Sequence, residues 1–181
     1  MDREKVIKAI EDLLDALGED RTREGLKETP RRVADAYAEL LSGEGTDASE
    51  HLSRVFTTEC SDMVVEKDIW FSSTCEHHLM PFFGKIAIAY IPDGKVVGLS
   101  KLARTVEVFA KRLQLQERLT HGIAEEIMRC LSPKGVMVVC EAEHTCMTCR
   151  GIKKAGSVTL TYAALGEFPE NLRSEVFSLL K

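Results

Sequence analysis

Apolar residues recur at helical spacing in two segments at the start of the chain. From Val6 to Leu17 they lie three and four positions apart, and Gly18 follows where helices commonly end. Thr29 and Pro30 then open a second amphipathic segment, as an N-cap and a first-turn proline would. The pattern therefore predicts a pair of N-terminal helices.

A different order of patterns follows in the rest of the chain. Alternating or continuous apolar runs predict strands at residues 63–71, 83–91, 136–140 and 158–162. Two helical patterns lie between the second and third of these runs, and a short one closes the chain. This order favours an α+β fold, an antiparallel four-stranded sheet with helices on one face. We assign residues 1–50 to an N-terminal helical region and residues 51–181 to a domain that carries the sheet.

Composition and charge narrow the class of protein. With 44% hydrophobic and 29% charged residues, the chain is typical of globular proteins, and no apolar run approaches the ~20 residues of a membrane span. The N-terminus lacks the apolar core of a signal peptide, so we expect a cytoplasmic protein. The net charge of −5 argues against a general nucleic-acid or membrane surface. Local clusters of lysine and arginine still allow a small anionic ligand.

Cysteine and histidine residues form a candidate metal site. Cys75 and His78 have the spacing C-x-x-H, so one turn can bring both to the same ion, and Cys146 offers a third ligand from a distant segment. Two thiolates and an imidazole suit Zn²⁺, and three protein ligands leave a position open for water, as in catalytic zinc sites. His77 and His144 are then free to move protons near that water.

Other interpretations of these cysteines have to be weighed. Cys149 follows Cys146 at C-x-x-C spacing, so four residues could form a closed, structural Cys₃His site. The six cysteines are scattered, which does not resemble a secreted disulfide framework. Nucleobase deaminases use similar ligands, but their H-x-E motif and the proline before the first cysteine of their C-x-x-C are missing here.

Several segments together resemble GTP cyclohydrolase I, in the order and at the spacing of that family. They are Cys75-Glu76-His77-His78, Gly98-Leu99-Ser100-Lys101, Gln116-Glu117-Arg118-Leu119, His144-Thr145-Cys146-Met147 and Arg150-Gly151. The resemblance runs from about residue 20 to about residue 166. It implies the tunnelling fold, ββααββ, in which the sheets of several subunits join into a barrel and two rings stack into a homodecamer. It also implies Zn²⁺ as the cofactor, held by Cys75, His78 and Cys146.

The resemblance implies a reaction as well. GTP is hydrolysed at C8 of the guanine, formate is released, and the product recloses as 7,8-dihydroneopterin triphosphate, the first step of tetrahydrofolate or pterin synthesis. His77 resembles the acid that protonates the purine, and His144 the partner for later proton transfers. Glu117, with Gln116 beside it, matches the family position for the guanine edge. The ribose and triphosphate positions are matched by Ser100, Lys101, Arg104 and Arg150, with Arg32 reaching a phosphate of a neighbouring subunit.

Two alternatives remain open at this point. The chain could be another tunnelling-fold enzyme that acts on a pterin or a deazapurine. It could also be a non-catalytic module whose closed site includes Cys149, a position that the family does not use as a ligand.

Overall fold

The computed structural model describes residues 1–181, which form two compact units, Met1–Ser42 and Gly43–Lys181. The first unit contains the predicted helices, α1 (Arg3–Ala16) and α2 (Thr29–Leu40). The side chain of Asp2 caps α1 by accepting a hydrogen bond from the N–H of Lys5. α3 (Ser49–Leu52) packs with helices of the second unit, and the domain boundary after residue 50 stays a prediction.

The second unit is built on two sheets. In chain order its strands are β1 (Val55–Thr57), β2 (Val64–Cys75), β3 (Met80–Ile91), β4 (Lys95–Val97), β5 (Leu113–Gln114), β6 (Gly135–His144) and β7 (Val158–Gly166). The larger sheet has the order β5-β2-β3-β6-β7, and its four long strands are antiparallel. The short β5 joins β2 in parallel, while β1 and β4 form a separate antiparallel ribbon.

Four helices accompany these strands in the second unit after α3. They are α4 (Leu99–Ala110), α5 (Gln116–Leu131), α6 (Thr145–Thr148) and α7 (Glu170–Leu179). Residues of α4 and α5 share the main core with the sheet face that carries Ile86 and Ile88. Ala87 and Ala89 alternate with them, lie on the opposite face and pack with residues of α7. The predicted α+β class is confirmed, and α7 adds a helix on the second face.

Strand length is what positions the candidate site. β2 and β3 pair as a long hairpin that ends at Cys75 and restarts at Met80, so its tip is the four-residue segment after Cys75. β6 lies beside β3 and ends at His144, directly opposite Phe82. The hairpin tip and the end of β6 therefore meet at the same end of the sheet, where these strands terminate.

None of the helices combines the length and the apolar character that a membrane span requires.

Candidate active site and metal centre

The tip of the β2–β3 hairpin folds His78 back towards Cys75. The carbonyl of Cys75 accepts hydrogen bonds from the N–H groups of His78 and Leu79, at 3.4 and 2.8 Å. Leu79 has a φ of 54°, in the left-handed region that lets the chain reverse this tightly. As a result, Nδ1 of His78 lies 3.8 Å from Sγ of Cys75.

Cys146 approaches the same point from the other side of β3. It lies on α6, which begins where β6 ends, and Oγ1 of Thr145 donates a hydrogen bond to the carbonyl of Pro81 at 2.6 Å. This contact ties α6 to the start of β3. One ligand atom from each of Cys75, His78 and Cys146 then lies within 4.8 Å of the others. The structure thus assembles the three residues that the sequence predicted as metal ligands.

The chemistry of these donors fits a borderline-soft divalent ion. Two sulfurs and an imidazole nitrogen form a common ligand set for Zn²⁺. Burial, followed by the neighbouring Cys75 thiol, raises the pKa of Cys146. A bound cation would reverse this effect, because it favours the thiolate form of a ligating cysteine. Cys75 is buried, Cys146 is half-buried and His78 is exposed, so the group opens towards the surface on the histidine side.

Cys149 has a different environment from Cys146. It is exposed and lies just after α6, where its Sγ donates a hydrogen bond to the carbonyl of Thr145 at 2.8 Å. The group of potential ligands around Cys75 does not include it. The structure therefore favours a three-residue site over the closed Cys₃His site.

His144 is held beside this group by two contacts. Its Nε2 lies 2.7 Å from Oε1 of Gln116, and its ring stacks on that of Phe82, with centroids 4.6 Å apart and planes 4° apart. Burial lowers the pKa of His144, and the carboxylate of Glu117 acts in the opposite direction. The other predicted proton carrier, His77, is an exposed residue of the hairpin tip, with its ring centroid 6.2 Å from that of His78.

The start of α5 brings the two predicted guanine-contact residues to the site, with different surroundings. Glu117 is exposed in the first turn, and its negative charge raises the pKa of His144, an effect smaller than the lowering by burial. Gln116 is only 2% exposed, and its amide contacts other groups of the chain. Arg118 completes this turn by binding the carboxylate of Glu76, a residue of the hairpin tip.

The predicted ribose and phosphate contacts lie on two segments. Ser100, Lys101 and Arg104 occupy the first turns of α4, where Lys101 is half-buried and the other two are exposed. Arg150 is exposed after α6, and its charge lowers the pKa of Cys146, an effect smaller than that of burial. Arg32 is an exposed residue of α2 in the first unit, and its phosphate contact stays a prediction.

The structure adds residues that sequence reasoning did not single out for the site. They are Phe82 under the ring of His144, the pair of Glu76 and Arg118, and the hydroxyls of Thr120 and Thr161 near Gln116. Glu76 and Arg118 lay within recognised segments, but their pairing depends on how the hairpin meets α5. The stacking of Phe82 depends on the register of β3 and β6, which no local pattern reveals.

Comparison with known proteins adds independent findings. The sequence model of the family described as GTP cyclohydrolase I matches residues 6–181. A protein of Clostridium kluyveri named GTP cyclohydrolase 1 is 58% identical, over 100% of this chain and 99% of its own length. Proteins with the same name from Clostridium perfringens and Streptococcus pneumoniae are 54% and 52% identical. Each alignment covers 99% of this chain, with 98% and 99% of the respective relative.

Proposed function

Because the chain belongs to the GTP cyclohydrolase I family, we propose that it hydrolyses GTP to 7,8-dihydroneopterin triphosphate and formate. The observation that carries the proposal is the group of Cys75, His78 and Cys146, whose ligand atoms lie within 4.8 Å of one another. His144 and Glu117, on neighbouring elements, supply a proton carrier and a guanine-binding carboxylate. The product is the precursor from which tetrahydrofolate and other pterins are made.

Zn²⁺ is the metal that we propose for this site. When bound, it would supply the Lewis acidity that lowers the pKa of water to about 7 and makes a nucleophile at neutral pH. The two sulfurs and one nitrogen fit it, and a site of three protein ligands is supported by Cys149, whose thiol donates to the carbonyl of Thr145 and lies outside the candidate group. Three ligands leave room for water, which the attack at C8 requires.

The proton transfers are assigned to the two histidines that are not ligands. His77 is exposed at the hairpin tip, where a bound purine can meet it, and we assign it the protonation of the purine during attack. His144 is half-buried, and its lowered pKa favours the neutral form, which can accept a proton. We assign it the later transfers, which follow ring opening and include those of the ribose rearrangement.

Substrate recognition follows from charge and hydrogen-bond geometry. Guanine presents two adjacent donors, N1–H and the 2-amino group, and the carboxylate of Glu117 can accept both. The triphosphate carries several negative charges, which Lys101, Arg104 and Arg150 would meet with Ser100 as a further donor. Leaving the guanine donors or the carboxylate unpaired is costly, so this contact would discriminate GTP from ATP.

We also propose that the protein acts in the cytoplasm as a homo-oligomer, with the decamer as the expected form and Arg32 contacting a neighbouring subunit's phosphate. Support comes from the edge strand β7, where Val158, Leu160 and Tyr162 are about half exposed at alternate positions. An edge strand has one side whose backbone N–H and C=O groups are unpaired, and exposed apolar side chains on such a strand favour pairing with another chain. Light scattering on the zinc-loaded protein tests this, and a monomeric mass at micromolar concentration would contradict it.

The activity is tested with the zinc-loaded protein and GTP. Formate and a pterin that fluoresces after oxidation are both measured, for the unmodified protein, for Cys75→Ser and for Cys60→Ser. Cys60 is an exposed residue outside the ligand group, so its variant is the matched control. We expect both products from the unmodified protein and the control, and neither from Cys75→Ser. Full zinc occupancy without formate from GTP would reject the proposal and direct the search to pterin and deazapurine substrates.

A further inference from the structure

Gln116 lies in a buried hydrogen-bond network at the start of α5. Its Nε2 is 3.0 Å from the carbonyl oxygen of Cys140, 3.0 Å from that of Thr159 and 3.2 Å from Oγ1 of Thr161. Its Oε1 is 2.7 Å from Nε2 of His144. With 2% of the residue exposed, both ends of the amide are used within the chain.

These neighbours determine which way the amide faces. Backbone carbonyl oxygens only accept hydrogen bonds, so the group that faces Cys140 and Thr159 has to be the donating NH₂ of Gln116. The opposite orientation would bring the amide oxygen within 3.0 Å of two carbonyl oxygens and leave those buried acceptors unpaired. The oxygen of Gln116 therefore faces His144.

The threonine hydroxyls support the same orientation. Oγ1 of Thr120 donates to the carbonyl of Gln116 at 2.8 Å, which uses its only hydrogen. The 2.7 Å contact between Thr120 and Thr161 then requires the hydroxyl of Thr161 to be the donor. The oxygen of Thr161 is thereby left to accept from Nε2 of Gln116, in agreement with the two carbonyls.

We infer that Gln116 is a positioning residue that holds neutral His144 in the Nε2–H tautomer and leaves Nδ1 as the nitrogen that accepts protons. An amide oxygen only accepts hydrogen bonds, so the hydrogen of the 2.7 Å contact belongs to the histidine. Phe82 stacks on the same ring and restricts its rotation, so exchange of the two nitrogens by a ring flip is opposed. Gln116 then acts through His144, in place of the guanine contact that the sequence predicted for it.

The role of Nδ1 rests on the proposed function, whereas the tautomer does not. Transfers that pass through His144 would enter and leave at Nδ1, while Nε2 keeps its hydrogen against Gln116. A histidine whose second nitrogen is fixed by a hydrogen bond has a defined basic atom, which is how tautomers are commonly selected in active sites.

The tautomer is measured by solid-state nitrogen NMR on the zinc-loaded protein labelled with ¹⁵N-histidine. The chain has five histidines, and the signals of His144 are identified as those missing from His144→Asn. We expect a protonated, pyrrole-type Nε2 and an unprotonated, pyridine-type Nδ1. The reverse assignment, or a mixture of both tautomers in the unmodified protein, would overturn the inference.

Kinetics distinguish positioning from substrate contact. Gln116→Met keeps the volume of the side chain but removes its polar atoms, and we expect kcat to fall about 10- to 100-fold with the KM for GTP within about twofold. Tyr90→Phe is the control, because it removes a buried hydrogen bond, donated by the N–H of Val97, at the end of β3 far from His144. It should keep the tautomer and kcat. A rise in KM as large as the fall in kcat for Gln116→Met would favour a guanine contact and overturn the inference.

Failure of the proposed function would have a different signature. If the tautomer is as expected and zinc is bound but GTP yields no formate, the reaction is rejected while the role of Gln116 stands. If formate is produced by a protein whose His144 carries its hydrogen on Nδ1, the reaction stands and the role of Gln116 is rejected.

Discussion

The guanidinium of Arg118 binds the carboxylate of Glu76 through two nitrogens, at 2.6 and 3.3 Å. Glu76 follows Cys75, and Arg118 follows Glu117 on α5, so this pair connects the turn of the candidate metal site to the helix that carries the proposed guanine-binding carboxylate. The N–H of Glu76 also donates to the carbonyl of Gln114 at 3.1 Å. The distance between the metal site and Glu117 is thus set by contacts at the hairpin tip as well as by the sheet.

Replacing Arg118 with lysine tests this connection. Lysine keeps the charge but cannot form two parallel hydrogen bonds to a carboxylate. We expect Arg118→Lys to bind a full equivalent of zinc and to raise the KM for GTP several-fold. The control is Arg129→Lys, since Arg129 forms a similar pair with Glu126 on the same helix, outside the site. Equal kinetics for the two variants would show that the Glu76 pair does not position Glu117.

Replacement of Phe82 separates the stability of the core from the orientation of His144. Phe82 is fully buried, so Phe82→Leu should destabilise the protein by about 1–3 kcal/mol, and it also removes the stacking on His144. Phe71→Leu is the control, because Phe71 is buried and meets Phe82 edge-on. Urea unfolding and kcat are measured together. We expect similar losses of stability and a larger loss of kcat for Phe82→Leu, and equal losses of kcat would argue against a role for the stacking.

The number of zinc ligands is tested with cysteine variants. Cys149→Ser should keep one zinc per chain, because the thiol of Cys149 bonds to the carbonyl of Thr145 and lies outside the ligand group. Cys146→Ser should lose most of its zinc, since a serine hydroxyl is a poor ligand for this ion. Metal content after dialysis at a fixed chelator concentration is the measurement. Loss of zinc from Cys149→Ser would instead support the closed Cys₃His site, with Cys149 as the fourth ligand.

Glu117→Gln tests the recognition of guanine. The amide keeps the shape of the carboxylate but can accept from only one of the two guanine donors, so we expect kcat/KM for GTP to fall about 10- to 100-fold. Glu125→Gln is the control, since Glu125 is an exposed residue of α5 whose carboxylate faces His121. Initial rates at several GTP concentrations give both constants. Unchanged turnover of GTP by Glu117→Gln would support a substrate other than guanine.

Gly84 is expected to be intolerant of a side chain. It pairs with Ala142 where β3 meets β6, and a Cβ there would lie 1.9 Å from the carbonyl oxygen of Glu141. Gly84→Ala should therefore separate the two strands that carry Phe82 and His144, and lower stability by about 3 kcal/mol or more. Gly25→Ala is the control, because its Cβ would meet only a flexible arginine at 3.5 Å. The measurement is the midpoint of urea unfolding for both variants at equal protein concentration. Equal midpoints for Gly84→Ala and Gly25→Ala would contradict the expectation.

Much of the fold and of the ligand set follows from the sequence, because the determinants are local. Helical spacing predicted α1, α2, α4, α5 and α7, and alternating or continuous apolar runs predicted the four long strands, since these patterns report which faces are buried. The spacing of Cys75 and His78 predicted two ligands, because one turn can bring both side chains to one ion. The strand ends were predicted less well, since β2 continues past Phe71 to Cys75 through residues with little apolar pattern.

Only the tertiary structure decided how these parts meet. The register of β3 and β6 stacks His144 on Phe82, and the packing of α5 on the sheet buries Gln116 against three strand residues. The surroundings of Cys149 also depended on the fold, because C-x-x-C spacing is equally compatible with a ligand and with a hydrogen bond to the preceding turn. The sequence by itself determined which side chains are available, because local spacing encodes helices, strands and turns. Contacts between residues far apart in the chain depend on register and packing, and these determined which side chains meet at the candidate metal site and which contact the ring of His144.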